Sequence, residues 1–243
     1  MNEQLTTPTV GETVARDFRA AAVFERFGID FCCGGRRALD EACRTAAVDP
    51  ADVVRTLEAL PPATDATANV TQWPLDQLIE YIVSTHHRYV RASMPTIGRY
   101  LAKLVDVHGA RHPELARVAA YFENISRALA QHLLKEEQVL FPYIRELATT
   151  PVGGRECRSP FGTVANPIRM MEREHREAAG QLRIIRELTN GYVSPEDGCT
   201  TYAVCMAELD RFERDLHRHV HLENNVLFPK ALALENGYHP GPS

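Results

Sequence analysis

One sequence motif occurs twice in this chain, and its recurrence constrains the fold more than any other feature. The first copy, His-Leu-Leu-Lys-Glu-Glu-Gln-Val-Leu-Phe-Pro, spans 132–142, and the second, His-Val-His-Leu-Glu-Asn-Asn-Val-Leu-Phe-Pro, spans 219–229. One predicted helix before each copy there is a further histidine, His87 for the first and His175 for the second. An internal duplication with a pseudo-twofold axis is the simplest explanation of this pattern.

The segments around the motif carry apolar residues at spacings of three and four, the pattern of amphipathic helices. These segments run from about 75 to 107, 113 to 148, 165 to 190 and 195 to 234. The one long connection, at 149–166, falls between the second and third segments and divides them into two helical hairpins. The sequence therefore predicts an all-α fold built on an up-down four-helix bundle at 73–243.

A smaller unit precedes the bundle. Prolines and small polar residues at 61–69 favour a linker, so we divide the chain into a small helical N-terminal domain at 1–62, a linker at 63–72 and the bundle. Helical patterns lie at about 14–27, 38–46 and 50–60, the last with Asp49 as N-cap and Pro50 at the first helical position. So small a unit is expected to lean on a partner surface, and the linker would also let it pack on a second subunit in a homodimer.

Composition excludes several classes of function. The net charge is −5, and no run of Lys or Arg is long enough for a nucleic-acid footprint. The first residues lack the basic start and apolar run of a signal peptide, and no apolar stretch is long enough to span a membrane. Six unevenly spread cysteines in a chain of 243 residues fit reduced thiols better than a disulfide framework. We expect a cytoplasmic protein that binds neither nucleic acid nor membranes.

The repeated motif places a histidine and a glutamate on one helical stripe. Four residues advance a helix by about 400°, so His132 lies beside Glu136 on the helix surface. His219 and Glu223 have the same spacing. The stripes continue into apolar residues that we predict to be core, and the polar groups should therefore point inward. The predicted core positions are Ile125, Val139, Leu140, Phe212, Val226 and Leu227.

Inward-facing carboxylates and imidazoles are costly to bury unless they compensate one another or bind metal. Four imidazoles and two carboxylates suffice for two ions, each with two His ligands and with the glutamates bridging. Such donors suit iron, zinc or manganese, and a pair of ions in a bundle core is typical of di-iron proteins. Periodicity does not decide whether His86 or His87 is the ligand from the first helix. On the fourth helix, periodicity directs His217 and His221 away from His219, so we interpret them as solvated or supporting residues.

A second signal is Phe-Cys-Cys-Gly-Gly-Arg-Arg at 31–37. Arginines and a helix start would lower the pKa of the Cys32 and Cys33 thiols and favour thiolate chemistry or metal contact. The alternative is a tight turn in which the two thiols fill a small core. We interpret Cys43, Cys157, Cys199 and Cys205 as small apolar residues without a ligand spacing.

Together these motifs resemble the iron-sulfur cluster repair di-iron (RIC) family, over nearly the whole chain. The likeness rests on Phe24 to Gly35, on Lys135 to Pro142, on Glu174-His175 and on Leu222 to Pro229. It implies a hemerythrin-like bundle with two non-haem iron ions, bridged by an oxo group and carboxylates. The metal ligands that the resemblance implies are His87, His132, Glu136, His175, His219 and Glu223.

The resemblance also settles details that periodicity leaves open. An ungapped match from Leu78 through Pro95 selects His87 over His86. Glu174 matches a family acid near the centre, which makes it a candidate catalytic residue along with Cys32 and Cys33. Another acidic position of some members is Ala128 here, so a proton relay through that position is absent or rerouted.

Three functions are compatible with such a centre. The leading hypothesis is repair of iron-sulfur clusters damaged by nitrosative or oxidative stress, with iron supplied to the damaged proteins. The alternative is an NO-binding or NO-reducing protein that lowers free nitric oxide. Only the reduction of nitric oxide would make it an enzyme. A reversible O2 carrier is the third, but the hemerythrin carriers use five histidines and this chain offers four.

Overall fold

The computed structural model describes residues 8–60, 70–149 and 161–238. Four short helices form the N-terminal unit: α1 (Val10–Arg16), α2 (Ala20–Arg26), α3 (Leu39–Ala46) and α4 (Pro50–Glu58). The predicted start of α4 is confirmed, because the Asp49 side chain accepts a hydrogen bond from the Ala51 backbone N–H at 2.9 Å. Within the described residues, the only β pairing is one antiparallel bridge between Thr9 and Ala38.

The helical pattern predicted at 14–27 is two helices. The Asp17 carboxylate accepts a hydrogen bond from the Arg19 backbone N–H at 3.0 Å, an alternative to helical bonding that ends α1. Of the predicted linker, residues 63–69 lie outside the described residues. Val70–Gln72 is a short 3-10 helix whose Val70 is buried.

Four long helices follow, and three of them are interrupted by a π-helical segment. The first consists of α5 (Leu75–Tyr81), a π segment (Ile82–His87) and α6 (Arg88–His108); the second of α7 (Glu114–Lys135), a π segment (Glu136–Leu140) and α8 (Phe141–Thr149). The third is α9 (Ala165–Leu188), and the fourth consists of α10 (Thr200–Leu222), a π segment (Glu223–Leu227) and α11 (Phe228–Tyr238).

The four helices close into a ring, because α6 and α9 each pack on both α7 and α10. The start of the first helix lies beside the end of the fourth, as the contact between the His87 and His219 rings shows. At the other end, His108 of α6 contacts Tyr202 near the start of α10. The up-down four-helix bundle is therefore confirmed, and no described helix is both long and apolar enough to cross a bilayer.

The fourth helix begins later than predicted. Its N-cap is Cys199, not Pro195. The Gly198 backbone N–H bonds to the Pro195 carbonyl at 2.9 Å, so the chain makes a turn there before the helix starts.

One of the predicted core residues is on the surface. Ile125, Leu140, Phe212, Val226 and Leu227 are buried, but the Val139 residue is 47% exposed. Its equivalent Val226 is buried because α1 packs against the π segment of the second motif copy. Periodicity fixes the direction of a side chain on its helix, whereas burial also needs a neighbour on that side.

The N-terminal unit docks on the second motif copy through a close backbone approach. Asn225 donates a hydrogen bond from Nδ2 to the Cys32 carbonyl at 3.0 Å. A Cβ on Gly35 would lie 2.3 Å from Asn225 Oδ1, so the second glycine of the Cys-Cys-Gly-Gly sequence is required for this approach. Apolar residues of the unit, including Phe24 and Phe31, belong to the same core as α10.

Candidate metal centre

The three π-helical segments carry three of the six predicted ligands. His87 ends the first segment, and Glu136 and Glu223 begin the other two. A π segment widens one turn and re-aims its side chains, and such segments are frequent at functional sites. All six predicted ligands are buried, each at most 1% exposed, in a layer between two apolar cores.

The buried residues form two groups that share both glutamates. One group contains His87 and His219, the other His132 and His175, and Glu136 and Glu223 belong to both. Within each group the donor atoms lie within 4.8 Å of one another. Each group joins one histidine from the first repeat to one from the second, so neither repeat could build a complete group by itself.

The imidazoles turn their Nε2 atoms toward one another. His87 Nε2 lies 3.1 Å from His219 Nε2, and His132 Nε2 lies 3.0 Å from His175 Nε2. The Nδ1 atoms of His87, His132 and His175 face oxygen atoms, so the ring proton of each lies on Nδ1 and leaves Nε2 as an acceptor. In the His132–His175 pair both Nε2 atoms are therefore acceptors, which repel at this distance unless a cation lies near both.

The two carboxylates shared by the groups, those of Glu136 and Glu223, lead to the same conclusion. Both oxygens of Glu136 and one of Glu223 are buried without a hydrogen-bond donor among the described residues. Buried carboxylate oxygens without partners are costly, and a divalent cation is the ligand that satisfies them together with imidazole nitrogens. The residues therefore fit a metal site on their own chemistry.

Outer residues hold the imidazoles in place. The His87 Nδ1–H donates to Glu137 Oε1 at 2.6 Å, and Arg91 contacts that same oxygen at 2.8 Å. The His132 Nδ1–H donates to Glu174 Oε2 at 2.8 Å, and Lys135 pairs with Glu174. Such partners fix the tautomer of a ligand histidine and raise its basicity.

The second repeat supplies weaker outer partners. The His175 Nδ1–H donates to the amide oxygen of Asn224 at 2.9 Å. The His219 Nδ1 has no hydrogen-bond partner among the described residues. The two repeats therefore hold their histidines differently.

Electrostatics favour a positive charge in this layer. Burial alone would lower the pKa of His132, but Glu136, Glu174 and Glu223 outweigh it and raise that pKa to about 10. The hydrogen bond from His132, assisted by Lys135, lowers the pKa of Glu174 to about 2. Although Glu223 is buried, His219, His175 and His87 hold its pKa well below the ordinary value. A cation can take the place of these protons, in competition with them.

The neighbouring histidines lie outside both groups. His86 Nδ1 is 3.0 Å from Asp215 Oδ1, and the His86 ring stacks on His219 at 5.9 Å. His217 is partly exposed near Glu25, which agrees with its predicted position. For His221 the sequence predicted either a solvated or a supporting residue. Exposure to solvent is wrong, because His221 is fully buried beneath Phe18 and Phe31 of the N-terminal unit.

The two adjacent cysteines lie outside the metal groups, on the docking face of the N-terminal unit. The Cys32 thiol is buried and donates to Asp30 Oδ1 at 3.3 Å. Its hydrogen bond with Cys33, together with burial, raises the pKa of Cys32 well above its ordinary value, so the predicted lowering is wrong for Cys32. Asn224 connects this loop to the centre, since its Nδ2 lies 3.5 Å from the Cys32 carbonyl and its Oδ1 binds His175.

The other cysteines differ among themselves. Cys43 and Cys205 are buried core residues, as predicted, and Cys157 lies outside the described residues. Cys199 is exposed, with its Sγ 3.3 Å from His108 Nε2. That hydrogen bond is the main cause that lowers the pKa of Cys199 to about 7, so this thiol is not a simple apolar residue.

Glu174 also lines a small cavity of about 40 Å³ beside His132 and Ala128. This volume exceeds the minimum for one water molecule. The alanine at 128 thus leaves a space where a longer acidic side chain would have to fit. Sequence reasoning missed the outer partners Glu137 and Asn224, although each directly follows one of the two shared glutamates and could have been found there.

Comparisons with known proteins agree with this geometry. Residues 6–61 match the ScdA N-terminal model, a domain of unknown function, and residues 78–231 match the hemerythrin HHE cation binding domain. The chain is 35% identical to the iron-sulfur cluster repair protein YtfE of Musicola paradisiaca, over 92% of this chain and 96% of that protein. It is 34% identical to the YtfE proteins of Dickeya chrysanthemi, over 92% and 96%, and of Yersinia pestis, over 88% and 91%. The chain belongs to the family of hemerythrin-like iron-sulfur cluster repair proteins.

Proposed function

We propose that this protein repairs iron-sulfur clusters damaged by nitrosative or oxidative stress, and that it does so by supplying iron from a centre of two non-haem iron ions. The observation that carries the proposal is the pair of buried groups sharing Glu136 and Glu223. It is supported by relatives whose printed names are those of iron-sulfur cluster repair proteins. The division into a small domain at 1–62, a linker at 63–72 and a bundle at 73–243 belongs to the same proposal.

The proposed ligands are the six residues of the two groups. His87 and His219 would hold one ion, His132 and His175 the other, and both glutamates would bridge. Iron bound there would supply redox and ligand-exchange chemistry, with O2 or nitric oxide as small ligands. Each ion would receive at most four donor atoms from the protein. Because iron accepts up to about six ligands, coordination positions would remain open for small ligands to bind and exchange.

The chain's own residues would keep the donors ready. The carboxylates of Glu137 and Glu174 hold the ring protons on Nδ1, which orients the Nε2 lone pairs of His87 and His132 inward. Glu174 lines the small cavity as a carboxylate and accepts the hydrogen bond of the His132 Nδ1–H there. Damaged iron-sulfur proteins are the proposed partners, and a cytoplasmic location agrees with the five free cysteines of the described residues.

Metal analysis and Mössbauer spectroscopy, before and after anaerobic nitric oxide, would test the centre. We expect about two irons per chain, as in other carboxylate-bridged bundles. Glu136→Ala should lose both ions with the fold retained, whereas Gln138→Ala, an exposed neighbour on the same helix, should lose neither. Full iron occupancy in Glu136→Ala, or one zinc in place of iron, would overturn the assignment.

Repair itself needs a separate assay. An iron-sulfur dehydratase inactivated by nitric oxide should regain activity with the iron-loaded protein and not with the Glu136→Ala variant. Sustained formation of nitrous oxide with a reductant, without recovery of the dehydratase, would instead favour the alternative of nitric oxide reduction.

A further inference from the structure

A cleft of about 580 Å³ opens between the Cys-Cys-Gly-Gly loop of the N-terminal unit and the helices α9 and α10 of the bundle. This volume is typical of small-molecule sites in proteins. Cys32 and Cys33 lie on one wall, and the small residues Ala179 and Gly180 form part of the opposite wall. None of the six proposed metal ligands lines the cleft, so it is a second candidate site.

The cleft walls carry basic side chains that are not used in ion pairs. Arg37 lies on the loop side and Arg176 on α9, and neither takes part in an ion pair among the described residues. A third arginine, Arg183, follows Arg176 by two helical turns and forms a long, exposed ion pair of 4.0 Å with Glu187. These cations lie in a chain whose net charge is −5, so they are a local feature of the cleft.

Two of the three acidic residues that line the cleft, Glu213 and Asp30, accept hydrogen bonds from this chain. Glu213 accepts a hydrogen bond from Arg186 Nε at 2.9 Å. Asp30 accepts hydrogen bonds from the backbone N–H groups of Cys32 and Cys33 at 3.0 and 2.9 Å. The third, Glu25, lies 3.9 Å from His217 Nδ1 and makes no hydrogen bond through its Oε1 among the described residues. With Arg186 paired to Glu213, three arginines of the lining face two carboxylates, those of Glu25 and Asp30. The arginines of the cleft therefore favour an anionic ligand.

The two thiols at the cleft differ in access. Cys32 is 5% exposed and donates its hydrogen bond to Asp30, whereas Cys33 is only partly buried. Thiol–disulfide exchange requires an accessible sulfur. Cys33 is therefore the thiol that a molecule in the cleft would meet.

We propose that this cleft binds a low-molecular-weight thiol bearing carboxylates, and that Cys33 exchanges with the disulfide form of that molecule. The Cys33 thiolate attacks one sulfur of the disulfide, the small molecule's S–S bond breaks and a mixed disulfide forms on Cys33. The second sulfur leaves as a thiolate and takes a proton from water. Cys33 is thereby oxidised, and one thiol of the small molecule is released in reduced form.

Three disulfides that differ in charge test the proposal: oxidised glutathione (anionic), bis(2-hydroxyethyl) disulfide (neutral) and cystamine (cationic). The iron-loaded full chain is mixed with each, and peptide mass spectrometry follows the mixed disulfides on Cys33 and on Cys199. Because Cys199 does not line the cleft, the ratio of the two rates removes differences in intrinsic reactivity between the disulfides. We expect the ratio of the Cys33 rate to the Cys199 rate to be highest for the anionic disulfide and lowest for the cationic one.

Matched variants locate the effect. An added Cβ at Gly180, in the cleft wall, or at Gly98, outside the cleft, would meet no atom within 4 Å, so the first carbon of a side chain has room at both positions. Gly180→Leu should slow the reaction of Cys33 with oxidised glutathione about tenfold by filling the cleft, and Gly98→Leu should leave it unchanged. Arg176→Ala should reduce the preference for the anionic disulfide about fivefold, the size of one well-placed surface ion pair.

Equal Cys33 ratios for the three disulfides, or an unchanged rate in Gly180→Leu, would overturn the proposal. Iron content, measured on the same samples, reports separately on the metal centre. The proposal goes beyond iron supply and does not rest on it, since loss of the metal would leave the charge preference at Cys33 in place.

Discussion

The two copies of the duplicated motif have the same local backbone but different surroundings. In the first copy Leu134 and Val139 are 41% and 47% exposed. Their equivalents in the second copy, His221 and Val226, are 0% and 3% exposed. The N-terminal unit causes this difference, because it docks on the second copy.

Sequence divergence between the copies agrees with this asymmetry. Glu137 and Gln138 of the first copy correspond to Asn224 and Asn225 of the second. A carboxylate only accepts hydrogen bonds, whereas an amide also donates them, and Asn225 donates to the Cys32 carbonyl. The second copy therefore combines candidate metal ligands with a docking surface. The first copy keeps a carboxylate, that of Glu137, as the partner of His87.

The largest effect is expected when the two asparagines of the second copy are replaced by the equivalent residues of the first copy. In Asn224→Glu/Asn225→Gln, the buried carboxylate faces the Cys32 carbonyl, and we expect a loss of about 3 kcal/mol in the free energy of unfolding. Urea unfolding measures that loss, and hydrogen exchange at residues 28–37 reports release of the N-terminal unit. The reciprocal double variant Glu137→Asn/Gln138→Asn should leave exchange at 28–37 unchanged. Equal exchange in both variants would mean that docking does not depend on the amides.

The carboxylate partners of the first-repeat histidines give the next largest effect. Glu174→Ala removes the partner of His132 and should weaken metal binding about 10- to 100-fold, the usual cost of losing such a partner. Competition with a metal chelator measures the change. Glu187→Ala, at an exposed position of the same helix outside the small cavity, serves as the control. An unchanged affinity in Glu174→Ala would show that this carboxylate does not tune the centre.

The valines at equivalent positions provide a test of burial alone. Val226→Ala removes two buried carbon atoms and should lower the free energy of unfolding by about 2 kcal/mol. Val139→Ala, at the exposed equivalent, should change it by less than about 0.5 kcal/mol. Thermal or urea unfolding of the two variants under the same conditions decides the matter, and equal losses would contradict the asymmetric docking.

Acidification should weaken docking at the second copy by the smallest amount. Burial lowers the pKa of His221 from its ordinary value of 6.5 to about 4, so the stability that depends on neutral His221 is present above pH 6.5 and is lost as the pH falls toward 4. Between pH 7 and 5.5 the expected loss is about 1 kcal/mol.

The structure also gives the reason why His221 resists protonation. Asn225 Nδ2 lies 3.2 Å from His221 Nδ1 and donates to it, so a proton on that nitrogen would meet another donor. Hydrogen exchange at 28–37 as a function of pH measures the effect. His221→Leu, which copies the first repeat, should remove the pH dependence, and a slope that persists in this variant would assign it to another group.

The larger features of the fold could be predicted from the sequence because they depend on residues close to one another along the chain. Apolar spacing predicted four bundle helices, and Asp49 with Pro50 marked the start of α4 correctly. Periodicity failed where a neighbour or a local bond decides the outcome. It placed Val139 in the core, treated 14–27 as one helical pattern although the Asp17 side chain ends α1, and began the fourth helix near Pro195 rather than at Thr200.

The candidate site divides in the same way. The duplicated motif by itself selected His132, Glu136, His219 and Glu223 and determined that they face inward, since their spacing matches the helical period. Which of these residues share a group was decided by the tertiary structure, because each group joins histidines from different repeats. The tertiary structure likewise buries His221 beneath Phe31. A helix's own sequence fixes the direction of each side chain, but which chain segment meets that side chain depends on how distant segments pack, and no local pattern contains that information.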